Sequence, residues 1–113
     1  QIETLEGIAN CPGIVKVPNI DIVFLGPMDL SVALGYPGQT SHPEVVSVIE
    51  ELGSKIIEAG KVAGTIVANL DQYKHYRGQG FLYCATGITA FLMRGAGEYV
   101  STISEYEKSL SGA

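Results

Sequence analysis

Short β-branched apolar runs that alternate with helical patterns constrain this chain more than any other feature. Residues 20–25 (Ile-Asp-Ile-Val-Phe-Leu), 64–68 (Gly-Thr-Ile-Val-Ala) and 81–85 (Phe-Leu-Tyr-Cys-Ala) are nearly continuous in apolar character. Such runs suit strands covered on both faces, as in parallel sheets. Gln1-Ile2-Glu3 reads as the tail of a further strand. Between the strands, Val45, Val48, Ile49, Leu52, Ile56 and Ile57 recur at helical spacing from about His42 to Ala59. Ser41 and Glu44 are spaced as a capping box, Pro43 sits in the first turn, and Gly60 is placed to stop the helix. Further helices are expected over Thr4–Asn10, Asp71–Gln79 and Gly97–Leu110. The order β-α-β-α-β-α-β-α predicts right-handed βαβ units and a parallel α/β sheet, with no internal domain boundary. The segment from Ser31 to Thr40 reads as a long loop, the kind on which sites are built at the carboxyl end of such a sheet.

Composition narrows the function classes. The chain is 46% hydrophobic and 17% charged, which excludes a disordered tail. Its net charge of −5 and its seven scattered Lys and Arg residues give no basic face for nucleic acid. No apolar run is long enough to span a membrane as a helix. Cys11 and Cys84 lie far apart without metal-ligand spacing, and Cys84 is expected to be a buried, inert thiol. That usage suits a reducing, cytoplasmic compartment.

The candidate chemistry sits at two strand ends. Glu3 and Asp29 each follow a predicted strand and are separated by about one βα unit, so neighbouring parallel strands would bring both carboxylates to one rim. Converging carboxylates repel, and a divalent cation such as Mg²⁺ or Mn²⁺ relieves that repulsion with water and substrate completing its shell. The alternative is that Glu3 caps the following helix and Asp29 caps the turn at Ser31. Gly26-Pro27-Met28-Asp29 offers backbone amides for an anion, or is simply a turn into a short helix. His42, in the first turn of a helix, is expected to serve at the surface or in a cap, and His75 to be exposed. Arg94 is expected to pair with Glu98 four residues on. Ser31 and Thr86 have no His and Asp in triad arrangement, and neither dinucleotide-binding nor phosphate-loop glycine motifs occur.

Taken together, Gln1-Ile2-Glu3-Thr4, Val23-Phe24-Leu25-Gly26-Pro27-Met28-Asp29-Leu30-Ser31, Leu34-Gly35-Tyr36-Pro37 and His42-Pro43-Glu44-Val45 resemble the HpcH/HpaI family of metal-dependent, class II pyruvate aldolases. Ala59-Gly60-Lys61 and Ala85-Thr86-Gly87 fit the same pattern. The resemblance runs through nearly the whole chain. It implies a (β/α)₈ barrel of which residues 1–113 supply about the last four βα units. It implies cleavage or formation of a 4-hydroxy-2-oxo acid, giving pyruvate and an aldehyde through a metal-stabilised pyruvate enolate. In that reading Glu3 and Asp29 hold Mg²⁺ or Mn²⁺, with Co²⁺ a further option. Gly26, Met28 and Asp29 receive the substrate carboxylate through their amides, and Gln1 stands beside the substrate. It also implies a homo-oligomer, a hexamer, with the last helix exchanged between barrels.

Three departures stand out. Met28 replaces a residue that is commonly Ala, and Thr89 stands where many members have Asp. The family's catalytic His and its Arg belong to an amino-terminal half that is absent here, and neither His42 nor His75 matches that His. Two other readings compete: a related metal-dependent lyase (oxaloacetate decarboxylase or CoA-thioester lyase), and a non-catalytic remnant or binding subunit. The isolated segment is expected to be inactive. Gln1 in place of an initiating Met, and a strand pattern that starts at once, are further expected marks of a partial barrel.

Overall fold

The computed structural model describes residues 1–112. Helix α1 (Leu5–Ile14) leads to strand β1 (Ile22–Leu25), a short helix α2 (Pro27–Ala33) and the long helix α3 (Pro43–Glu58). Strand β2 (Val62–Ile66), helix α4 (Leu70–Gly78), strand β3 (Tyr83–Ala85) and helix α5 (Ile88–Leu110) complete the chain. The strands form one parallel sheet in the order β1-β2-β3, with Phe24 opposite Gly64 and Gly64 opposite Tyr83. Ile2 adds a single parallel bridge to Leu25, so the expected first strand is reduced to one paired residue. Spatial order thus follows chain order, as right-handed crossovers on one face dictate.

The core lies on that one face. Val23, Leu25, Ala63 and Val67 pack with Val45, Ile49, Leu52 and Ile56 of α3, with Cys11 of α1 and with Tyr76 of α4. Burying each large aliphatic side chain contributes about 1.5–3 kcal/mol. Thr65 is buried among them, and its hydroxyl donates to the Leu25 carbonyl at 3.1 Å. Gly53 lets α3 approach the ring of Phe81, because a β-carbon there would collide with it. Strand alternation sends the other set outward. Ile22, Ile66 and Tyr83 remain 44%, 46% and 48% exposed, and the Phe24 and Tyr83 rings meet edge to face over Gly64 at 5.7 Å. Among the described residues nothing covers this second face.

Several expectations are corrected. Pro43 forces the preceding residue into an extended backbone, so the cap of α3 is His42 and not Ser41. The His42 Nδ1 accepts the Glu44 amide at 3.3 Å. Ser31 belongs to α2, so the long loop begins only at Leu34. The last helix starts at Ile88, well before Gly97, and runs through Gly95 and Gly97 because neither glycine is needed for a turn. None of its 23 residues is buried, and the molecule is drawn out to 65 × 27 × 21 Å. Arg94 lies over the Phe91 ring at 5.6 Å, with no ion pair to Glu98. Cys84 is only partly buried, whereas Cys11 is fully so, and burial pushes both thiols up from their ordinary range. No helix among the described residues is long and apolar enough to cross a membrane.

Candidate metal and substrate site

The Ile2 bridge fixes the rim. The Ile2 amide donates to the Phe24 carbonyl at 2.7 Å, and the Gly26 amide donates to the Ile2 carbonyl at 3.1 Å. Glu3 and the Gly26–Asp29 turn therefore leave the carboxyl ends of neighbouring parallel strands, as their positions in the sequence suggested. Glu3 and Asp29 line one cleft of about 300 Å³ with Thr4, Val32 and Ala33. A β-carbon on Gly26 would lie 3.0 Å from Gln1 Nε2 and 3.2 Å from Glu3 Oε2. The bare backbone of Gly26 is thus what lets Gln1 and Glu3 fold across the turn.

Neither carboxylate is spent on structure. Thr4, not Glu3, caps α1, its hydroxyl accepting the Gly7 amide at 3.0 Å. The cap of α2 is Gly26, and Asp29 lies inside the first turn without a capping bond. Among the described residues neither Glu3 nor Asp29 forms an ion pair. Both are hard oxygen donors, the set that suits Mg²⁺ or Mn²⁺. No cluster of three or more His, Cys, Asp or Glu residues occurs among the described residues. The amide expectation changes at one position, because Gly26 spends its N–H on the Ile2 bridge. Met28 and Asp29, at the start of α2, are the amides that stay available.

Ser31 organises the neighbouring loop. It is fully buried, its hydroxyl donates to the Met28 carbonyl at 2.6 Å, and the Gly38 amide donates to it at 3.1 Å. The Tyr36 amide closes on the Ser31 carbonyl at 2.7 Å, and the Tyr36 ring stacks on His42 at 3.6 Å. This explains why Ser31 and the Leu34-Gly35-Tyr36-Pro37 segment occur together: the first ties the second to α2.

His75 is half exposed and sits apart, its Nε2 2.6 Å from Glu50 Oε1 across α3 and α4. Gln79 donates to the same oxygen at 2.9 Å. A second hollow of about 230 Å³, which the sequence did not reveal, opens between Met28, Ile66 and α4. Its traceable signal was Asn69 three residues before Gln72. Asn69 caps α4 by accepting the Gln72 amide at 2.9 Å, and Gln72 reaches back to accept the Ala68 amide at 2.8 Å.

Residues 1–96 match the HpcH/HpaI aldolase/citrate lyase family. The chain is 41% identical over 113 residues to a 4-hydroxy-2-oxo-heptane-1,7-dioate aldolase from Shigella flexneri, covering 100% of this chain and 42% of that protein. It is 44% identical over 114 residues to the enzyme of the same name from Salmonella paratyphi C, covering 100% of this chain and 43% of that protein. Among solved structures, an HpcH/HpaI aldolase from Desulfitobacterium hafniense superposes with a TM-score of 0.78 at 30% identity, over 93% of this chain and 41% of that one. The chain spans about two fifths of the length of the relatives it matches.

Proposed function

Since this chain belongs to the HpcH/HpaI aldolase/citrate lyase family, we propose that it carries the metal-binding half of a pyruvate aldolase barrel. The reaction would cleave a 4-hydroxy-2-oxo acid to pyruvate and an aldehyde, or run in reverse. The relatives named as 4-hydroxy-2-oxo-heptane-1,7-dioate aldolases support that substrate class. The observation that carries the reading is the cleft shared by Glu3 and Asp29, two carboxylates at adjacent strand ends that no helix cap uses.

Glu3 and Asp29 are the residues that would hold Mg²⁺ or Mn²⁺. When bound, the cation supplies Lewis-acid charge beside the substrate's keto oxygen. The Met28 and Asp29 amides then orient the substrate carboxylate, and Gln1 closes the near side of the site across Gly26. Fixed donors of this kind stabilise developing charge without reorganising.

The rest of the barrel would complete the sheet. A (β/α)₈ barrel takes about 250 residues to close, and its inward face is packed with side chains. The exposed Ile22, Ile66 and Tyr83 are apolar, as an inward face requires. Helix α5 supports a homo-oligomer, since Tyr99, Val100, Ile103 and Tyr106 project from it exposed among the described residues.

Titration of Mn²⁺ into the wild-type protein, Glu3→Gln and Asp29→Asn tests the site, with binding expected only in the wild type. Equal affinity in all three would remove both carboxylates as ligands. Pyruvate release from 4-hydroxy-2-oxo acids by the full-length protein tests the reaction. Thioester cleavage or oxaloacetate decarboxylation without such release would replace it.

A further inference from the structure

Apart from Tyr76, the polar side chains buried among the described residues are Ser31 and Thr65. Both aim their hydroxyl at the same turn. Thr65 donates to the Leu25 carbonyl at 3.1 Å, just before Gly26, and Ser31 donates to the Met28 carbonyl at 2.6 Å, just before Asp29. Burying a hydroxyl costs free energy that its hydrogen bond must offset. The core carries that cost at the two ends of Gly26–Asp29, the turn that holds a candidate metal ligand.

A trans peptide is planar, so a fixed carbonyl also fixes the N–H on the other side of the bond. The Ser31 hydroxyl holds the peptide between Met28 and Asp29, and with it the backbone that bears the Asp29 carboxylate. A helical serine often bonds a carbonyl three residues back. This one is also fully buried, and its oxygen accepts the Gly38 amide at 3.1 Å, so the hydroxyl is held from both sides. Thr65 holds the peptide between Leu25 and Gly26. The Gly26 amide of that peptide donates to the Ile2 carbonyl at 3.1 Å, and the Ile2 carbonyl shares its peptide with the Glu3 amide. Each candidate carboxylate is thus backed by one buried hydroxyl, Asp29 through a single peptide unit and Glu3 through two.

We propose that Ser31 and Thr65 are positioning residues for the candidate metal site, holding the peptide units of Asp29 and Glu3 so that both carboxylates are set before a cation arrives. The inference rests on the metal reading above. Neither hydroxyl is a ligand, and each acts only through the backbone it holds. Groups that orient a metal ligand from behind change affinity by about ten- to hundredfold.

The test is calorimetric titration of Mn²⁺ into the full-length protein. Ser31→Ala and Thr65→Val remove the hydroxyls with little change of shape, and each should weaken binding by about tenfold or more. Before metal is added, the Asp29 amide should exchange faster in Ser31→Ala and the Gly26 amide faster in Thr65→Val. Thr65→Ser keeps the hydroxyl and should bind as the wild type does. Ile49→Val, a buried change on α3, should lower the urea midpoint and leave the affinity unchanged, which separates positioning from a general loss of stability. Wild-type affinity in Ser31→Ala or in Thr65→Val overturns the role of that residue. Affinity that falls in step with the urea midpoint in every variant, Ile49→Val included, overturns both roles and leaves the metal site standing. A wild type that binds no Mn²⁺, or that Glu3→Gln and Asp29→Asn match in affinity, overturns the metal reading and the inference with it.

Discussion

The amide of Gly38 donates to the hydroxyl of Ser31 at 3.1 Å, and that hydroxyl in turn donates to the carbonyl of Met28 at 2.6 Å. One fully buried oxygen thereby joins the first turn of α2 to the loop that follows it. Ser31→Ala leaves the Gly38 amide and the Met28 carbonyl without this link. The expected cost is about 1–2 kcal/mol, the range for an unsatisfied, partly buried group. It should appear as a lower urea midpoint at unchanged slope, with faster hydrogen exchange at Gly38.

Gly26→Ala probes the rim without replacing a proposed ligand. The new β-carbon would press on Gln1 Nε2 and Glu3 Oε2. The backbone φ of −88° is open to alanine, so the effect should fall on the site and not on the turn. Mn²⁺ affinity should fall about tenfold, the lower end of what displaced supporting groups cost. Calorimetric titration measures it, and unchanged affinity would show that the rim relaxes freely.

Gly53→Ala should destabilise the protein by about 1–3 kcal/mol, as overpacking does in a filled core. The added carbon meets the Phe81 ring. Phe81→Leu in the same chain should recover part of that loss. A double-mutant cycle with additive effects would show that the two residues are not in contact.

Glu50 joins α3 to α4 through Gln79 and His75. The Gln79 amide lowers its carboxyl most, burial opposes that next, and the His75 hydrogen bond and charge add to the lowering, so the carboxyl is held below the ordinary glutamate range. Its folded pKa is therefore depressed. The stabilisation is present above the unfolded value of about 4.3 and is lost as pH falls through the folded one. Because the pair is solvent-screened, it is worth at most about 1 kcal/mol. The stability difference between wild type and Glu50→Gln should shrink as pH is lowered below that value, as followed by thermal melts.

Helix α5 should matter for assembly and little for the core. Ile103 is 46% and Tyr106 60% exposed on a helix that buries nothing. Ile103→Glu with Tyr106→Glu in the full-length protein should lower the mass measured by light scattering and leave the far-ultraviolet helix signal intact. An unchanged mass would place the interface elsewhere.

Much of the fold was legible because it depends on local spacing. The apolar stripe of α3, the stop at Gly60 and the parallel β1-β2-β3 order follow from side-chain periodicity and chain order. The boundaries shifted where a single residue outweighed the pattern. Pro43 moved the α3 cap to His42, and Gly95 and Gly97, which looked like a break, were absorbed into α5. In the site, the shared rim of Glu3 and Asp29 was readable because each residue follows a strand. The loss of the Gly26 amide was not, because it depends on how Ile2 pairs.

The sequence by itself determined the α/β class, the family and the two carboxylates, since strand-helix alternation and motif spacing are properties of the chain alone. Only the tertiary structure decided what those carboxylates are free to do. Thr4 and Gly26 take the capping positions, leaving Glu3 and Asp29 to face one cleft. It also decided that Ser31, Gly38 and Tyr36 are tied together by hydrogen bonds. Such contacts depend on residues distant in sequence meeting at atomic range, and no periodicity in the chain encodes which donor reaches which acceptor.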